Sequence, residues 1–373
     1  MCLLPDMQAL TYYYLALSKI PKVGPITGRN LIRHAGGVEQ IFDLTKTEVM
    51  ELPGLSQAQK SALINRECLR MADRELRIIE EEQIRLITIE APEYPYRLKQ
   101  IDDAPLVIYV RGQVGLNSLR MISIVGTRQA SVLGLQYCKE VVEALSEYNV
   151  TVISGMATGI DGCAHASALD LGLSTVGVVA HGMKFRYPKS NDRLFDRMEK
   201  KGMIMTEHGY STFANKDNFP RRNRLVAGLS DATIVVESKK RGGSMITANL
   251  AHDYNREVFA IPGRISDKSF EGCNHLIKSH KASLYQSVDD LAYLLNWSGK
   301  SKALGAKSKP LYEELSERQK KIINYLRMHQ ECNIDDLAFH CSIDLGDLSS
   351  ELLQMEFKGM IKALPGSKYL LLR

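Results

Sequence analysis

Short apolar runs alternate with helical patterns over residues 82–296, and this alternation is the feature that most limits the possible folds. Continuous apolar runs of a few residues are typical of strands that are buried on both faces of a sheet. Helical segments between such strands predict an α/β fold, a mostly parallel sheet with helices on both faces. The predicted strands are residues 84–89, 106–110, 121–125, 150–153, 175–180, 203–205, 232–236 and 258–261.

Two of these runs end in loops of small residues, 126–128 and 154–159, and a helical pattern follows each loop. Glycines allow a tight turn and a close backbone approach to a ligand, and a helix start supplies free N–H groups. Ser154 and Thr158 add hydroxyl groups. The two loops together predict an anion site for a ligand with several phosphates. Either loop alone is equally compatible with glycines that only close a βα turn.

Neither loop matches the GxGxxG fingerprint, and no acidic residue ends the next strand at the ribose-binding spacing. NAD is therefore not expected, and we predict no cofactor. The seven cysteines are scattered and form no CxxC pair, which indicates reduced packing residues rather than disulfides or a zinc site. We predict no bound metal.

A basic segment, residues 216–224, precedes an apolar helix and the run at 232–236. Lys216, Arg221, Arg222 and Arg224 supply four cations around Phe219. Cations that meet phosphates and an aromatic ring that stacks on a base suit a single-stranded nucleic acid. A solvated basic helix start is the alternative for the segment, and packing against the following helix is the alternative for Phe219. Three arginines at a helix N-terminus oppose the helix dipole, which favours a bound anion.

The composition is that of an ordinary globular protein, with 45% hydrophobic and 24% charged residues and a net charge of +5. It argues against disordered, collagen-like and membrane classes, and it permits a polyanionic partner. The beginning of the chain lacks the pattern of a signal peptide. We therefore expect a cytoplasmic protein without membrane contact.

Two Gly-containing turns, residues 20–28 and 52–56, lie between helical patterns near the beginning of the chain. Both resemble helix–hairpin–helix turns, in which backbone N–H groups bind a nucleic-acid phosphate whatever the base sequence. A repeat that serves packing or protein contact is equally compatible. We predict a helical helix–hairpin–helix or SAM-like domain over residues 1–77.

Residues 297–310 contain four lysines, two glycines and no acid, which predicts a flexible linker. Helical patterns at 316–328, 333–340 and 345–357 and a hairpin at 360–372 predict a winged-helix domain over residues 311–373. The middle helices carry acids with few cations, which argues against duplex reading by the third helix and favours a protein partner. Auxiliary DNA binding through Lys358, Lys362 and Lys368 is the alternative.

Asp161 is the best candidate for a catalytic acid near the predicted loops. At the first turn of a helix, such a residue more often caps the helix or orients the loop, and His165 fits a core or capping role. No Walker, HExxH or GxSxG pattern occurs in the sequence. We therefore predict a binding protein and not an enzyme, with a nucleotide or nucleoside-phosphate hydrolase on the same scaffold as the alternative.

Ordered sequence blocks over nearly the whole chain resemble the bacterial DNA-processing protein A family, also called DprA or Smf. These blocks are residues 126–134, 154–165, 219–230, 243–248, 256–263 and 272–277. The chain departs from the family pattern at four positions, Lys184, Gly242, Cys273 and Lys281, and no role is transferred to them. Lys184 and Lys281 both add positive charge.

The resemblance implies an extended Rossmann-like domain, over residues 82–296 here, that binds single-stranded DNA and forms a homodimer. It further implies that the protein helps to load a RecA-type recombinase on incoming DNA during natural transformation. The candidate DNA-binding residues are Gly126, Thr127, Arg128, Ser154, Gly155, Met156, Thr158, Gly159, Lys216, Phe219, Arg221, Arg222, Asn223, Arg224, Gly243 and Ser244.

Overall fold

The computed structural model describes residues 5–297, 316–329, 332–357, 360–364 and 366–371. The chain divides into two compact units, Met1–Trp297 and Ser298–Arg373. The predicted helical region and the predicted sheet region thus fall in one unit, and a domain boundary between them stays a prediction. The predicted linker, apart from Trp297, lies outside the described residues.

The first unit begins with a helical region in which two turns join consecutive helices. Gly54, in the second turn, has a φ of +74°, a conformation that glycine adopts without strain. Lys19, at the end of the first helix, pairs with Glu75 at 3.2 Å and also donates to Tyr109 of the sheet. The helices of this region are α1 (Pro5–Ser18), α2 (Pro25–Ala35), α3 (Gln40–Asp43), α4 (Lys46–Glu51), α5 (Gln57–Ile64) and α6 (Glu67–Glu81).

The strands of the first unit form one nine-stranded sheet in the order β1-β2-β6-β5-β4-β3-β7-β8-β9. The β1–β2 and β2–β6 pairs are antiparallel, and the remaining neighbours are parallel. The strands are β1 (Arg85–Thr88), β2 (Val107–Gly112), β3 (Met121–Val125), β4 (Thr151–Ser154), β5 (Thr175–Val178), β6 (Met203–Thr206), β7 (Ala232–Val235), β8 (Glu257–Ala260) and β9 (Ser283–Leu284).

Strands β3 to β7 are buried along their whole length, as expected for strands that helices cover on both sides. Each of the eight predicted runs overlaps a strand, and the predicted fold class is confirmed. Strand β9 was missed, because it has only two residues and both are exposed. The remaining helices of the unit are α7 (Tyr96–Lys99), α8 (Val132–Ser146), α9 (Ile160–Asp170), α10 (Asp192–Lys201), α11 (Asn218–Gly228), α12 (Gly243–Asp253), α13 (Glu271–Lys278) and α14 (Val288–Leu294).

The second unit has the winged-helix elements that the sequence predicts. Strand β12 lies between β10 and β11, and both pairs are antiparallel. The described helices pack on a core that includes Ile322, Leu337 and Leu352. The elements are α15 (Glu317–Met328), β10 (Cys332–Asn333), α16 (Ile334–Cys341), α17 (Leu345–Phe357), β11 (Ile361–Leu364) and β12 (Lys368–Leu371).

In the part of the chain that the structure describes, no helix is long and apolar enough to cross a bilayer. The cysteines at 68, 138, 163, 273, 332 and 341 are unpaired thiols, and most of them are buried.

Candidate nucleic-acid interface

The two predicted loops lie side by side at the carboxyl ends of β3 and β4. From β3 the chain builds the sheet outward through β4, β5 and β6 on one side, and later through β7, β8 and β9 on the other. A ligand crevice is expected where the strand order reverses in this way. The loop cleft opens there; its lining includes residues 125–129, 219–220, 222–223 and 241–244, together with Gly155, Ala157 and Asp161.

The turn between β4 and α9 packs directly on the loop that carries Arg128. Gly159 has a φ of +77°, and a Cβ at this position would lie 2.2 Å from the Thr127 carbonyl oxygen. The Ile160 N–H donates to that same oxygen at 3.2 Å, and the Thr158 hydroxyl donates to the Arg128 carbonyl at 3.3 Å. Only glycine fits this close approach, so the second loop fixes the backbone from which the Arg128 side chain extends.

Glu237, which the sequence analysis missed, supports the first loop from below. Its backbone carbonyl accepts from the Thr127 N–H at 2.8 Å. Its carboxylate accepts from the Ser131 N–H at 2.9 Å and from the Ser131 hydroxyl at 3.2 Å, and the side chain is fully buried. The signal in the sequence is an acid directly after the apolar run 232–236. A buried acid there indicates a positioning role.

Arg128 and Phe219 form the exposed chemical feature of the cleft. The guanidinium carbon of Arg128 lies 5.0 Å from the centre of the Phe219 ring, in cation–π geometry. Arg128 is exposed and Phe219 is half-buried. The Tyr187 ring, 45% exposed, lies 5.7 Å from the Phe219 ring. Tyr187 was not among the predicted contacts, although its position after β5 and its aromatic character could have indicated it.

Three helices begin around the cleft without a side-chain cap: α9, α11 and α12. Helix α8, in contrast, is capped by the Ser131 hydroxyl, which accepts from the Gly134 N–H at 3.0 Å. Gly243, at the beginning of α12, is exposed, and no atom lies within 4 Å of the position a Cβ would take. Uncapped helix N-termini present N–H groups and positive dipole ends, which favour anions.

Arg222 does not face the cleft as a free cation, which corrects the prediction of direct contact. Its guanidinium donates to the carbonyls of Gly155 and Val178, and the residue is only 4% exposed. Burial lowers the pKa of Arg222 to about 10, Asp161 opposes that shift, and Arg128 adds to it. Arg222 therefore holds the β4 loop in place from inside the protein.

Arg224 is also internal, contrary to the prediction that it contacts DNA. It is 8% exposed, and its guanidinium donates to the carboxylate of Glu207 and to the backbone carbonyl of Asp103. Arg224 is not among the residues that line the loop cleft. Arg224 anchors α11 and is not available to a phosphate.

Three further predicted contacts have buried side chains. The Ser154 hydroxyl donates to the Ile124 carbonyl at 2.6 Å, and the Ser244 hydroxyl donates to the Ser238 hydroxyl at 2.8 Å. Met156 is fully buried, with a φ of +58°. Only the backbone of these residues is left to meet a ligand. The sequence pattern identified the loops, but it could not separate hydroxyls that face the ligand from hydroxyls that close the turn.

The other predicted residues lie at or near the surface. Lys216 and Arg221 are exposed, and Asn223 is half-buried. The Asn223 amide donates to the Gly243 carbonyl at 3.3 Å, which joins the beginnings of α11 and α12. Gly126 packs tightly, because a Cβ there would lie 2.5 Å from the Ile160 side chain.

Asp161 and His165, the residues weighed for catalysis, are both held by the protein. Burial raises the pKa of Asp161, while Arg222, the Ala157 backbone, the Ser154 hydroxyl and Arg128 oppose that rise. Burial lowers the pKa of His165 to about 3, and its Nδ1 lies 2.7 Å from the Thr175 hydroxyl oxygen. Asp161 thus orients the loop, and His165 belongs to the core. Within the described ranges, no cluster of His, Cys, Asp and Glu has an arrangement that could hold a metal ion.

Comparison with known proteins agrees with this geometry. Residues 85–296 match the family described as DNA recombination-mediator protein A, and residues 306–367 match the DprA winged helix domain. The Smf protein of Synechocystis is 28% identical over 392 residues, which cover 96% of this chain and 98% of that protein. The DNA processing protein DprA of Bacillus subtilis is 38% identical over 210 residues, which cover 56% of this chain and 71% of the relative.

Solved structures give the same result. The crystal structure of DprA from Streptococcus pneumoniae matches with a TM-score of 0.66 and 32% identity, covering 76% of this chain and 97% of the other. DNA processing protein A from Helicobacter pylori, whose structure is described as showing a single-stranded DNA binding mode, matches with a TM-score of 0.52 and 26% identity, covering 57% of this chain and 96% of the other.

The sheet order and the cleft at its switch point define a Rossmann-like α/β protein, and a winged helix follows it in the chain. The family matches cover both parts. This chain belongs to the DNA recombination-mediator protein A family, which is also known as DprA or Smf.

Proposed function

We propose that this protein binds single-stranded DNA in the loop cleft. Arg128 binds a backbone phosphate, the beginnings of α9, α11 and α12 bind neighbouring phosphates through their N–H groups, and Phe219 stacks on a base. The observation that carries the proposal is the Arg128 guanidinium, 5.0 Å from the Phe219 ring, beside three helices without side-chain caps. A cation and an aromatic face together meet both parts of a nucleotide.

A single strand suits this cleft better than a duplex does. Base pairs in a duplex stack on each other, so an aromatic side chain cannot stack on them. The bases of a single strand are accessible for such stacking. Phe219 lines the loop cleft, and the Tyr187 ring, 45% exposed, lies 5.7 Å from the Phe219 ring. The relative from Helicobacter pylori, described as binding single-stranded DNA, supports the same assignment.

The proposal extends to the wider role of the family as the resemblance implies it. The protein acts in the cytoplasm as a homodimer through the sheet-containing unit, loads a RecA-type recombinase on incoming DNA, and serves natural transformation. It acts without catalysis. A strand-exchange assay with the recombinase on protein-coated single strands tests the loading step. Added protein should shorten the lag before strand exchange begins. Sedimentation of the full chain with and without DNA tests the dimer.

No specific contact favours the alternative, a nucleotide or nucleoside-phosphate hydrolase. Its best candidate acid is Asp161, which is 8% exposed and accepts a hydrogen bond from the Ala157 backbone in the β4 loop. Such a partner commits the carboxylate to the loop and not to a substrate. Turnover of a panel of nucleotides, abolished by Asp161→Asn in a folded variant, would establish the alternative.

The binding test compares single-stranded and duplex oligonucleotides of equal length over a range of salt concentrations. We expect tighter binding of the single strand and a linear fall of log affinity with log salt, about 0.7 for each phosphate contact. Arg128→Ala should lower both the affinity and the salt slope. Arg74→Ala, an exposed arginine on α6, is the matched control and should change neither. Equal affinity for the duplex, or an unchanged Arg128→Ala variant, would contradict the proposal.

A further inference from the structure

A second cleft lies on the other side of the turn formed by Thr158 and Gly159. Its lining includes three arginines, Arg128, Arg193 and Arg197, and it includes no aspartate or glutamate from the described residues. Arg128 and Gln129 border both clefts. The loop cleft contains the Phe219 ring, whereas the described lining of the second cleft contains no aromatic residue. The second cleft is therefore suited to phosphates and not to base stacking.

Helix α10 supplies two of the arginines, and Asn191 ties its beginning to the loop cleft. The Asn191 side-chain amide donates to the Met156 carbonyl at 3.0 Å and to the Ala157 carbonyl at 3.1 Å. Arg193 and Arg197 are four residues apart, so they lie on one face of α10. The position of this arginine pair is therefore fixed relative to the β4 loop and to Arg128.

Both arginines are accessible to an anion. Arg193 is exposed and has no ion-pair partner in the part of the chain that the structure describes. Arg197 pairs with Asp170 at 2.5 Å, but the two side chains are 42% and 67% exposed. An exposed pair of this kind contributes little to stability, so Arg197 can turn from the carboxylate to a phosphate at small cost. An anion in the second cleft would thus meet one free cation and one weakly held cation.

We propose that a single strand bound in the loop cleft continues past Arg128, across the Thr158–Gly159 turn, and into the second cleft. There its phosphates bind Arg193 and Arg197. The inference rests on the proposed function and extends it, because it gives the strand a path and a longer footprint. The sugar–phosphate backbone carries the whole contribution of the second cleft, which is independent of base sequence.

The test uses the full chain and two lengths of single-stranded oligonucleotide, about 4 and about 16 nucleotides, the limits of common binding-site sizes. Arg193→Ala should weaken binding of the long strand about twofold to fivefold and lower its salt slope by about 0.7. Binding of the short strand, which is held in the loop cleft, should stay as in the unmodified protein. Arg193→Lys should keep most of the long-strand affinity, because it keeps the charge.

Lys200→Ala is the control, since Lys200 is an exposed cation on the same helix outside the second cleft. Arg193 is exposed, so melting temperatures should not change. An Arg193→Ala variant that binds both lengths normally, or that loses both equally, overturns the proposed path. Loss of binding to inorganic phosphate without loss of the long strand also overturns it, because the cleft would then be a separate small-anion site. Failure of the unmodified protein to bind any single strand would instead contradict the proposed function.

Discussion

Replacing Phe219 with alanine tests whether its ring stacks on a base or packs within the protein. Stacking of a base on an aromatic side chain contributes about 1–3 kcal/mol, which corresponds to a loss of roughly 5- to 150-fold in affinity for single-stranded DNA. In the protein itself, Phe219 is half-buried and has the Tyr187 ring at 5.7 Å. Loss of one such aromatic pair costs about 0.5–1.5 kcal/mol of unfolding free energy.

The assay is fluorescence anisotropy of a labelled oligonucleotide at fixed salt, paired with urea unfolding of the same preparations. The matched control is Phe213→Ala, because Phe213 is 71% exposed and stacks on Phe185 with ring centres 4.2 Å apart, outside the lining of the loop cleft. The control should bind DNA normally. A Phe219→Ala variant that loses about 3–5 kcal/mol of stability, the cost for a core aromatic, and still binds DNA normally would refute the stacking role.

Three other substitutions test the roles of residues in the first unit. Arg222→Ala should cost about 1–3 kcal/mol of unfolding free energy, because it leaves the buried carbonyls of Gly155 and Val178 without their donor; an unchanged urea midpoint would contradict this. Burial lowers the pKa of His208 from 6.5 to about 4. The contribution of neutral His208 to the free energy of unfolding is therefore complete above pH 6.5 and falls as the pH drops toward 4. His208→Gln should make the free energy of unfolding depend less steeply on pH in that range. Gly159→Ala should cost about 1–3 kcal/mol of unfolding free energy, because Gly159 has a positive φ, and it should also weaken DNA binding. Gly243→Ala should leave the melting temperature unchanged, because Gly243 has open space around it.

The sheet was predictable because its strands are buried on both faces and so appear as uninterrupted apolar runs. The run at 121–125 became β3, and the run at 150–153 became β4 shifted by one residue. Strand β9 left no such signal, because two exposed residues cannot form a hydrophobic pattern. The winged-helix elements were predictable for a related reason: their helices carry apolar residues at helical spacing, with a hairpin turn at Gly366.

The cleft was predictable as a place but not residue by residue. Small residues after two strands located the loops at Gly126 and Gly155, and they lie together as expected. Charge alone misassigned Arg222 and Arg224, because the sequence does not show which arginines find carbonyls and carboxylates inside the protein. Glu237 was missed for the same reason, since its role depends on a helix that is distant in the sequence.

Along the first turns of α11, accessible residues alternate with residues that hold the protein together. Phe219 and Arg221 are accessible, whereas Arg222 and Arg224 anchor the helix to the β4 loop and to Glu207. A scan of this stretch that records only DNA binding would find damage at nearly every position, from two unrelated causes. Measuring the free energy of unfolding beside DNA binding would separate the two causes, because only the buried arginines should affect stability strongly.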